Sequence, residues 1–328
     1  MKLGSMMKSA GVALGALAFS SVAMAADPID VRYGLWAKEG EAQYIGAVKF
    51  KELLEAASGG KYKVTIYPGN QLGTPREMQA QLALNDTQIM ASGDPGLKEI
   101  EYLALPYLMA GIKNYIDIIE SPIGDEWNEK LVKTRKMRLF GFLPRSPRQI
   151  SANKVINTMA DLEGLKLRAP ERDYYVESLS ALGAKPTPMA FKEVYTALQT
   201  GLVDGQENPI ETIYASKFYE VQKAVAMVDY IDKPAYVMIG DPFWSKLSDE
   251  DKEMFSKAMA ESTEVVVGLL PEQEKKFIAD MQAAGVTFTY PDKAEFIAAT
   301  QPVRDKLGTK IWGAETYAKI VEMGAKSM

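Results

Sequence analysis

Strand-like and helix-like hydrophobic patterns alternate along the first third of the chain. Two segments, residues 44–57 and 75–85, carry apolar residues at helical spacing, and the first ends at a Gly-Gly pair. Three further segments have the apolar or alternating pattern of strands: 29–35, 62–67 and 87–91. The order strand, helix, strand, helix, strand predicts a mostly parallel sheet with helices on its faces.

The second predicted helix begins with a strong start signal. Thr74 is a good N-cap residue, Pro75 suits the first helical position, and Glu77 stands three residues after the cap. This order predicts a capping box, in which the side chains of Thr74 and Glu77 each accept a hydrogen bond from the other's main-chain N–H.

A further strand is predicted at 138–143, and the segment 148–156 is expected to cross into a second domain. A chain of 328 residues is long enough to form two domains. The alternation of strands and helices then continues. The predicted strands are 165–169, 184–187 and 204–207, and the predicted helices are 172–182, 191–200 and one that begins near Asn208-Pro209.

A long helix is predicted from Ser248, a good N-cap followed by three acidic residues, to about Ala284. Pro271 lies inside it and predicts a kink, because proline removes a main-chain hydrogen bond and crowds the preceding turn. A late strand at 286–290 and a terminal helix at 311–325 complete the predicted elements.

The first 25 residues have the order of features typical of a secretory signal peptide. Lys2 and Lys8 precede an apolar run too short to span a bilayer, and Ala23-Met24-Ala25 has the form of a cleavage site. We expect cleavage after Ala25 and, since no second long apolar run follows, a soluble exported protein. The alternative is a buried helix at the terminus.

The residue types that are missing narrow the chemistry. Without Cys and His, Ser-His-Asp and Cys-His nucleophile systems are impossible, and a zinc site would need carboxylates alone. The chain has no phosphate-binding or dinucleotide-binding glycine motif, and we expect no metal and no cofactor. After loss of Lys2 and Lys8, 36 basic and 43 acidic residues leave a formal charge of −7, which disfavours nucleic-acid binding.

Arg168 is a candidate ligand-binding residue in the predicted strand 165–169. Apolar residues alternate there with Lys166 and Arg168, so both basic side chains are expected to point away from the core face. Arg168 also lies at the carboxyl end of the strand, where open α/β sheets bind ligands, and its planar fork suits a carboxylate. On the pattern alone, the alternative is a solvated surface arginine.

Two residues of the first domain follow predicted strands. Trp36 is expected either to stack on a sugar ring or a flat acid, or simply to pack. Asp94, within Ser92-Gly93-Asp94-Pro95-Gly96, is expected either to accept hydrogen bonds from ligand hydroxyls or to serve the turn.

The stretch from Leu182 to Lys223 contains a dense set of characteristic residues: Pro186, Pro188, Phe191, Glu193, Thr196, Gln199, Gly201, Val203, Asp204, Gly205, Asn208 and Pro209. With these residues it resembles the solute-binding proteins of TRAP transporters, which deliver organic acids to a membrane permease. The similarity covers nearly all of the chain after residue 25. It implies an α/β, two-lobed periplasmic binding protein fold, with a mostly parallel sheet flanked by helices in each lobe and a long helix spanning both.

The resemblance also implies lobe boundaries. The first lobe is expected to hold residues 26–147 and about 237–284, including the spanning helix. The second lobe is expected to hold 148–236 and about 285–328, with the hinge near Arg148 and Tyr236.

The resemblance further implies roles for residues of the second lobe. Arg168, in the segment Gly164–Arg168, is expected to clamp a ligand carboxylate, and the amide of Asn208 to bind the same group. Phe191 is expected to form an apolar wall against the ligand. The alternatives are that Asn208 caps a helix and that Phe191 is an ordinary core residue.

Arg148 is the second basic candidate that the resemblance implies. It precedes Ser151-Ala152-Asn153-Lys154, which fits the strand that follows a ligand-binding arginine in the family. The family's usual glycine before this arginine and the aromatic often found after it are replaced by Pro147 and Gln149, so Arg145 is an alternative contact. Both arginines would otherwise form interdomain ion pairs.

The function that follows is a non-catalytic, monomeric subunit that binds an organic acid and delivers it to TRAP permease membrane subunits. A sugar acid such as a uronate or aldonate is the first expectation, ahead of a small 2-hydroxy or 2-keto acid and of an aromatic acid stacked on Trp36. The alternative classes are an enzyme that uses acids such as Glu39 and Glu41, and a protein that serves a sensor.

Overall fold

Two sheets organise residues 27–325, the part of the chain that the computed structural model describes. The predicted signal peptide and cleavage site lie outside these residues. The first sheet contains β1 (Ile29–Leu35), β2 (Tyr62–Tyr67), β3 (Ile89–Ser92), β4 (Met137–Leu143) and β10 (Ala235–Gly240). The second contains β5 (Arg148–Ala152), β6 (Lys166–Ala169), β7 (Lys185–Pro188), β8 (Gly205–Pro209), β9 (Ala224–Ile231) and β11 (Thr287–Thr289).

Each sheet is parallel apart from one strand. The strand orders are β2-β1-β3-β10-β4 and β11-β9-β5-β8-β6-β7, and only β10 and β5 run against their neighbours. These are the two strands that the chain enters after crossing from the other sheet, through residues 144–147 and 232–234. A strand that enters a sheet from its carboxyl edge must run antiparallel to the rest. The carboxyl edges of the two sheets therefore face each other, and the space between them, here called the cleft, is where α/β sheets bind ligands.

Helices cover the sheets, and the predicted mostly parallel α/β architecture is confirmed. At the start of the second helix, the Thr74 N–H donates to Glu77 Oε2 at 2.7 Å, and Thr74 Oγ1 accepts from the Glu77 N–H at 3.4 Å, so the predicted capping box is present. The helices are α1 (Ala42–Ala57), α2 (Pro75–Leu84), α3 (Lys98–Glu101), α4 (Ile112–Ile119), α5 (Pro122–Arg135), α6 (Asp173–Ala181), α7 (Val194–Gln199), α8 (Ile210–Ala215), α9 (Asp241–Trp244), α10 (Asp249–Ala283) and α11 (Lys293–Ala325).

The helix α10 spans both sheets, as predicted. Ser248 caps it by accepting a hydrogen bond from the Asp251 N–H at 3.1 Å, and the helix continues through Pro271. Phe255, near its start, packs in the core of the first sheet, whereas Met281, near its end, packs with residues of the second. One continuous helix therefore supports both halves of the molecule.

The C-terminal region differs from the prediction. The terminal helix begins at Lys293 rather than at 311, and Gly313, with φ of 77°, interrupts it. Its first half buries only a narrow stripe that includes Phe296, Thr300 and Leu307, so the surrounding sequence is mostly polar and hides the helical period. The helices α4 and α5 are likewise absent from the predicted set.

One apolar cluster joins the two sheets. Met90 and Tyr236 of the first sheet belong to the same buried cluster as Leu167 of the second and Tyr174 of α6. The terminal helix contributes Phe296 and other residues to it. Within residues 27–325, no helix is both long enough and apolar enough to cross a membrane.

Candidate functional site

Arg168 lies in β6, between β7 and β8, and is only 4% exposed. Its Nε and Nη2 atoms donate to the main-chain oxygen of Met189 at 3.1 and 2.8 Å. The alternative of a solvated surface arginine is therefore wrong. The strand pattern placed Arg168 on the face opposite Leu167, but both faces of this inner strand are covered.

The guanidinium of Arg168 has no carboxylate within 4.0 Å among the described residues. Burial lowers its pKa, the Glu207 charge opposes this effect, and the Arg148 cation lowers the pKa further. A buried cation bound only to a neutral carbonyl oxygen favours the approach of an anion.

Arg148 is also buried, but it is paired. Its Nε and Nη2 atoms contact both carboxylate oxygens of Glu207, with Nη2 to Oε1 at 2.8 Å, and Nη2 also donates to Asn208 Oδ1 at 3.0 Å. Although burial disfavours the charged form, Glu207 raises the pKa of Arg148 well above its usual value. Because Glu207 lies in β8, beside β5, the pair is within one sheet, and the expectation of an interdomain ion pair is wrong for Arg148.

Asn208 is a strand residue, not a helix cap. The N-cap of α8 is Pro209, and the Asn208 side chain instead donates to Gln206 Oε1 at 2.5 Å while accepting from Arg148. One hydrogen of its amide nitrogen has no partner in these contacts and can bind a ligand oxygen.

Phe191 lies over Arg168. Its side chain is 49% exposed, the Arg168 Cζ atom is 5.9 Å from its ring centroid, and its ring meets Phe218 edge-on at 5.8 Å. It is therefore not an ordinary core residue, and it presents an apolar surface next to the unpaired cation.

Trp36 and Arg145 contact each other. The Arg145 guanidinium lies 5.5 Å from the Trp36 ring, Nη2 donates to Thr212 Oγ1 at 2.7 Å, and Nε is 3.5 Å from Glu211 Oε1. Burial lowers the pKa of Arg145, and the Glu211 charge opposes the shift. This pair connects the loop after β1 with the crossing that leads to β5.

One carboxylate oxygen of Asp94 serves the turn, and the other contacts Arg172 in the loop between β6 and α6. Oδ1 accepts from the Gly96 N–H at 2.8 Å, and Oδ2 lies 3.2 Å from Arg172 Nη2. Arg172, just before α6, also contacts Glu101 at 2.7 Å, and next to it the Tyr102 hydroxyl donates to Asp173 at 2.5 Å. These bonds connect the two halves at the edge of the cleft.

The sequence candidates fall into three groups. Arg148, Arg168, Asn208 and Phe191 lie together, whereas Trp36 and Arg145 form a neighbouring pair. Arg145 also borders a groove of about 710 Å³ beside α10. Asp94 lines a separate cavity of about 610 Å³.

Two further residues of the site were missed in the sequence. Glu207 neutralises Arg148, and the Tyr175 ring lies 5.1 Å from the Arg148 guanidinium. The sequence offers no clear signal for Glu207, which stands in the polar run Gly205-Gln206-Glu207-Asn208. Tyr175 follows another tyrosine in a predicted helix, and its position in the sequence predicts only an ordinary core residue.

Facing sheet edges, two crossing strands, a shared long helix and buried cations between them define a two-lobed solute-binding protein. The sequence matches the family described as bacterial extracellular solute-binding protein, family 7, over residues 33–310. The sialic acid-binding periplasmic protein SiaP of Vibrio cholerae is 33% identical over 95% of this chain and 98% of its own. The chain belongs to this family, the periplasmic solute-binding proteins of TRAP transporters, which deliver ligand to a membrane permease and are not enzymes.

Solved structures agree with this assignment. A TRAP solute-binding protein from Ochrobactrum anthropi has a TM-score of 0.82 and 28% identity over 91% of this chain and 95% of its own. One from Roseobacter denitrificans with bound L-galactonate has a TM-score of 0.76 and 31% identity over 89% and 97%. A third, from a Bradyrhizobium, contains D-galacturonate, with a TM-score of 0.78 and 29% identity over 90% and 98%.

Proposed function

We propose that this chain binds a hydroxylated sugar acid, a uronate or an aldonate, with the ligand carboxylate at Arg168. The observation that carries the proposal is the Arg168 guanidinium, 4% exposed and without a carboxylate partner among residues 27–325. An anion that enters the cleft supplies the missing charge and accepts hydrogen bonds from the planar fork.

The neighbouring residues have distinct roles in this proposal. Asn208 donates its free amide hydrogen to the carboxylate, and Phe191 excludes water from one side of it. Arg148 is already neutralised by Glu207, so it orients Asn208 and contributes its remaining nitrogen, Nη1, rather than acting as the main counter-ion. Trp36 and Arg145 lie next to this group and contact the remainder of the ligand.

The relatives support a hydroxylated acid. The Roseobacter and Bradyrhizobium proteins bind L-galactonate and D-galacturonate, which combine one carboxylate with several hydroxyls. The second candidate is a small dicarboxylate, since a relative 32% identical to this chain, from Rhodobacter capsulatus, is a C4-dicarboxylate-binding protein.

The proposed transport cycle uses the two lobes and no catalysis. The chain is exported, cleaved after Ala25 and acts as a monomer in the periplasm. The lobes 26–147 with 237–284 and 148–236 with 285–328 close on the ligand, and the permease receives the closed form. Glu41, a candidate for acid–base work, instead accepts a hydrogen bond from the Lys38 N–H at 3.1 Å in the turn before α1.

A thermal-shift screen tests the ligand class. The panel comprises L-galactonate, D-galacturonate, D-glucuronate, L-gulonate, L-malate and succinate. A ligand at one hundred times its dissociation constant stabilises the folded state by about 2.7 kcal/mol, so at least one sugar acid is expected to raise the melting temperature clearly. A rise with malate or succinate alone would favour the dicarboxylate, and no rise with any acid would contradict the proposal.

A further inference from the structure

A second unpaired cation is buried close to the proposed site. Lys233 lies in the crossing between β9 and β10 and is 6% exposed. Its Nζ atom donates to the Tyr174 hydroxyl at 3.0 Å, and no carboxylate of the described residues lies within 4.0 Å of it. Other lysines have carboxylate partners, such as Lys61, which pairs with Asp251 at 2.7 Å.

The surroundings of Lys233 are aromatic. Its Nζ atom lies 5.6 Å from the ring of Tyr174 and 5.9 Å from the rings of Tyr175 and Tyr236. Such faces attract a cation only modestly, whereas removing an ammonium from water is expensive unless an anion or several oxygens replace the water. An ammonium has three donors, and among the described residues only the Tyr174 hydroxyl accepts a hydrogen bond from this one. The site therefore favours additional acceptor oxygens.

Lys233 borders the proposed ligand site. The Tyr175 ring lies 5.9 Å from Lys233 Nζ and 5.1 Å from the Arg148 guanidinium, so one ring connects the two cations. Arg148 in turn contacts Asn208, one of the proposed carboxylate contacts. Lys233 also belongs to one of the two crossings at the junction of the facing sheet edges, the region that a ligand enters.

We propose that Lys233 is a ligand-binding residue that donates to an oxygen of the sugar acid distinct from the carboxylate at Arg168. This assignment rests on the proposed function and deepens it. It implies a ligand with an acceptor oxygen several bonds from the carboxylate, as in a six-carbon aldonate or uronate. Lys233 thus selects against acids whose only acceptor oxygens belong to the carboxylate at Arg168.

Calorimetry on the full chain without its signal peptide tests the assignment, with whichever of L-galactonate, D-galacturonate, D-glucuronate and L-gulonate binds the wild type most tightly. Lys233→Met keeps the length and apolar stem of the side chain but removes the donors. A hydrogen bond from a charged donor is worth about ten- to a hundredfold in affinity, so a loss of at least about tenfold is expected. The matched control is Lys63→Met, at an exposed position in β2, which is expected to bind as the wild type does.

A crystal structure of the wild type with the same acid gives an independent measurement that does not depend on how the variant folds. A ligand oxygen within about 3.2 Å of Nζ is expected. Affinity of Lys233→Met within about threefold of the wild type, or no ligand oxygen within about 4 Å of Nζ, would overturn the assignment and leave the proposed function intact. Failure of all four acids to bind the wild type would overturn both.

Discussion

At the residue scale, the two central arginines differ in how their charge is balanced. Arg148 and Glu207 form a buried pair, in which each group depends on the other. Arg168 has equal burial but only the Met189 carbonyl oxygen as a partner. The charge of Arg168 is therefore left without a counter-ion among the described residues, and this difference supports our proposal that the ligand carboxylate binds at Arg168 rather than at Arg148.

Replacing Arg168 should abolish most of the binding. Arg168→Ala is expected to cost about 3–5 kcal/mol of binding free energy, at least about a hundredfold, because the bound carboxylate loses its buried partner. Arg168→Lys should recover only part of this loss, since an ammonium lacks the coplanar fork. Calorimetry measures both, with Arg138→Ala, which removes an ion pair to Asp241 in the first sheet, as the control. Near wild-type affinity in a folded Arg168→Ala would remove Arg168 from the site.

Asp232 makes stability depend on pH. Burial, followed by the charge of Asp229, raises its pKa from 3.8 to about 7. Between these two values the folded state holds a proton that the unfolded state has lost, so this group contributes a stability that decreases as pH rises from about 4 to about 7. Asp232→Asn should therefore raise the melting temperature more at pH 8 than at pH 4. Equal shifts at both pH values would contradict the raised pKa.

At the scale of elements, the pairing of β5 with β8 places Arg148, Glu207 and Asn208 together, and it needs a glycine. A Cβ at Gly205 would lie 2.3 Å from the main-chain oxygen of Ser151. Because the obstacle is backbone in the neighbouring strand, a side chain there can be accepted only if the two strands separate.

Two glycine-to-alanine changes should act in opposite directions. Gly205→Ala is expected to lower the free energy of unfolding by about 1–3 kcal/mol, the usual cost of overpacking, and to weaken ligand binding through the displaced strand. Gly268→Ala, at an open position in α10, should raise the free energy of unfolding by about 0.5–1 kcal/mol, because alanine loses less conformational freedom than glycine when the chain folds. Urea unfolding measures both, and a neutral Gly205→Ala would mean that the strands can separate at little cost.

Local signals in the sequence predict the elements that depend on local chemistry. The capping box at Thr74 and the start of α10 at Ser248 involve neighbours three residues apart, so the sequence shows them directly. Asn208 is of a residue type that often caps helices, yet in the paired strands its side chain forms hydrogen bonds with Arg148 and Gln206. A competing partner from another part of the chain cannot be recognised from local sequence.

The candidate site also depends on contacts between residues that are distant in the sequence. The family resemblance predicted which residues lie together, but the balance of charge between Arg148 and Arg168 depends on where Glu207 points. Lys233 gave no signal, because Asp232-Lys233-Pro234 has the composition of an exposed turn. It is buried because this turn crosses between the sheets and is covered by aromatic residues from both sides of the junction.

At the scale of the whole molecule, Arg172 connects the halves at the cleft edge through Asp94 and Glu101. We expect saturating sugar acid to reduce the radius of gyration measured by small-angle scattering, because the bound ligand favours the closed state. Arg172→Glu should enlarge the free protein and weaken binding by about 1 kcal/mol, roughly fivefold, since the pairs are partly exposed and screened.

The control for this prediction is Arg135→Glu. Arg135 lines the same cavity as Arg172 but has no ion pair within the described residues. The Arg135→Glu substitution is expected to leave both the radius of gyration of the free protein and its affinity for the sugar acid unchanged. An unchanged radius of gyration with saturating ligand would exclude closure as the signal that the permease reads.

The position of β10 between β3 and β4 has a consequence for the order in which the protein can form. A chain synthesised from its N-terminus has produced four strands of the first sheet by residue 143, yet the gap between β3 and β4 stays open until residue 240 has been made. The second sheet is complete only after β11, which ends at residue 289, has been synthesised. During most of synthesis neither half can complete its hydrogen bonding, so we expect stable folding to be delayed until most of the chain has been made.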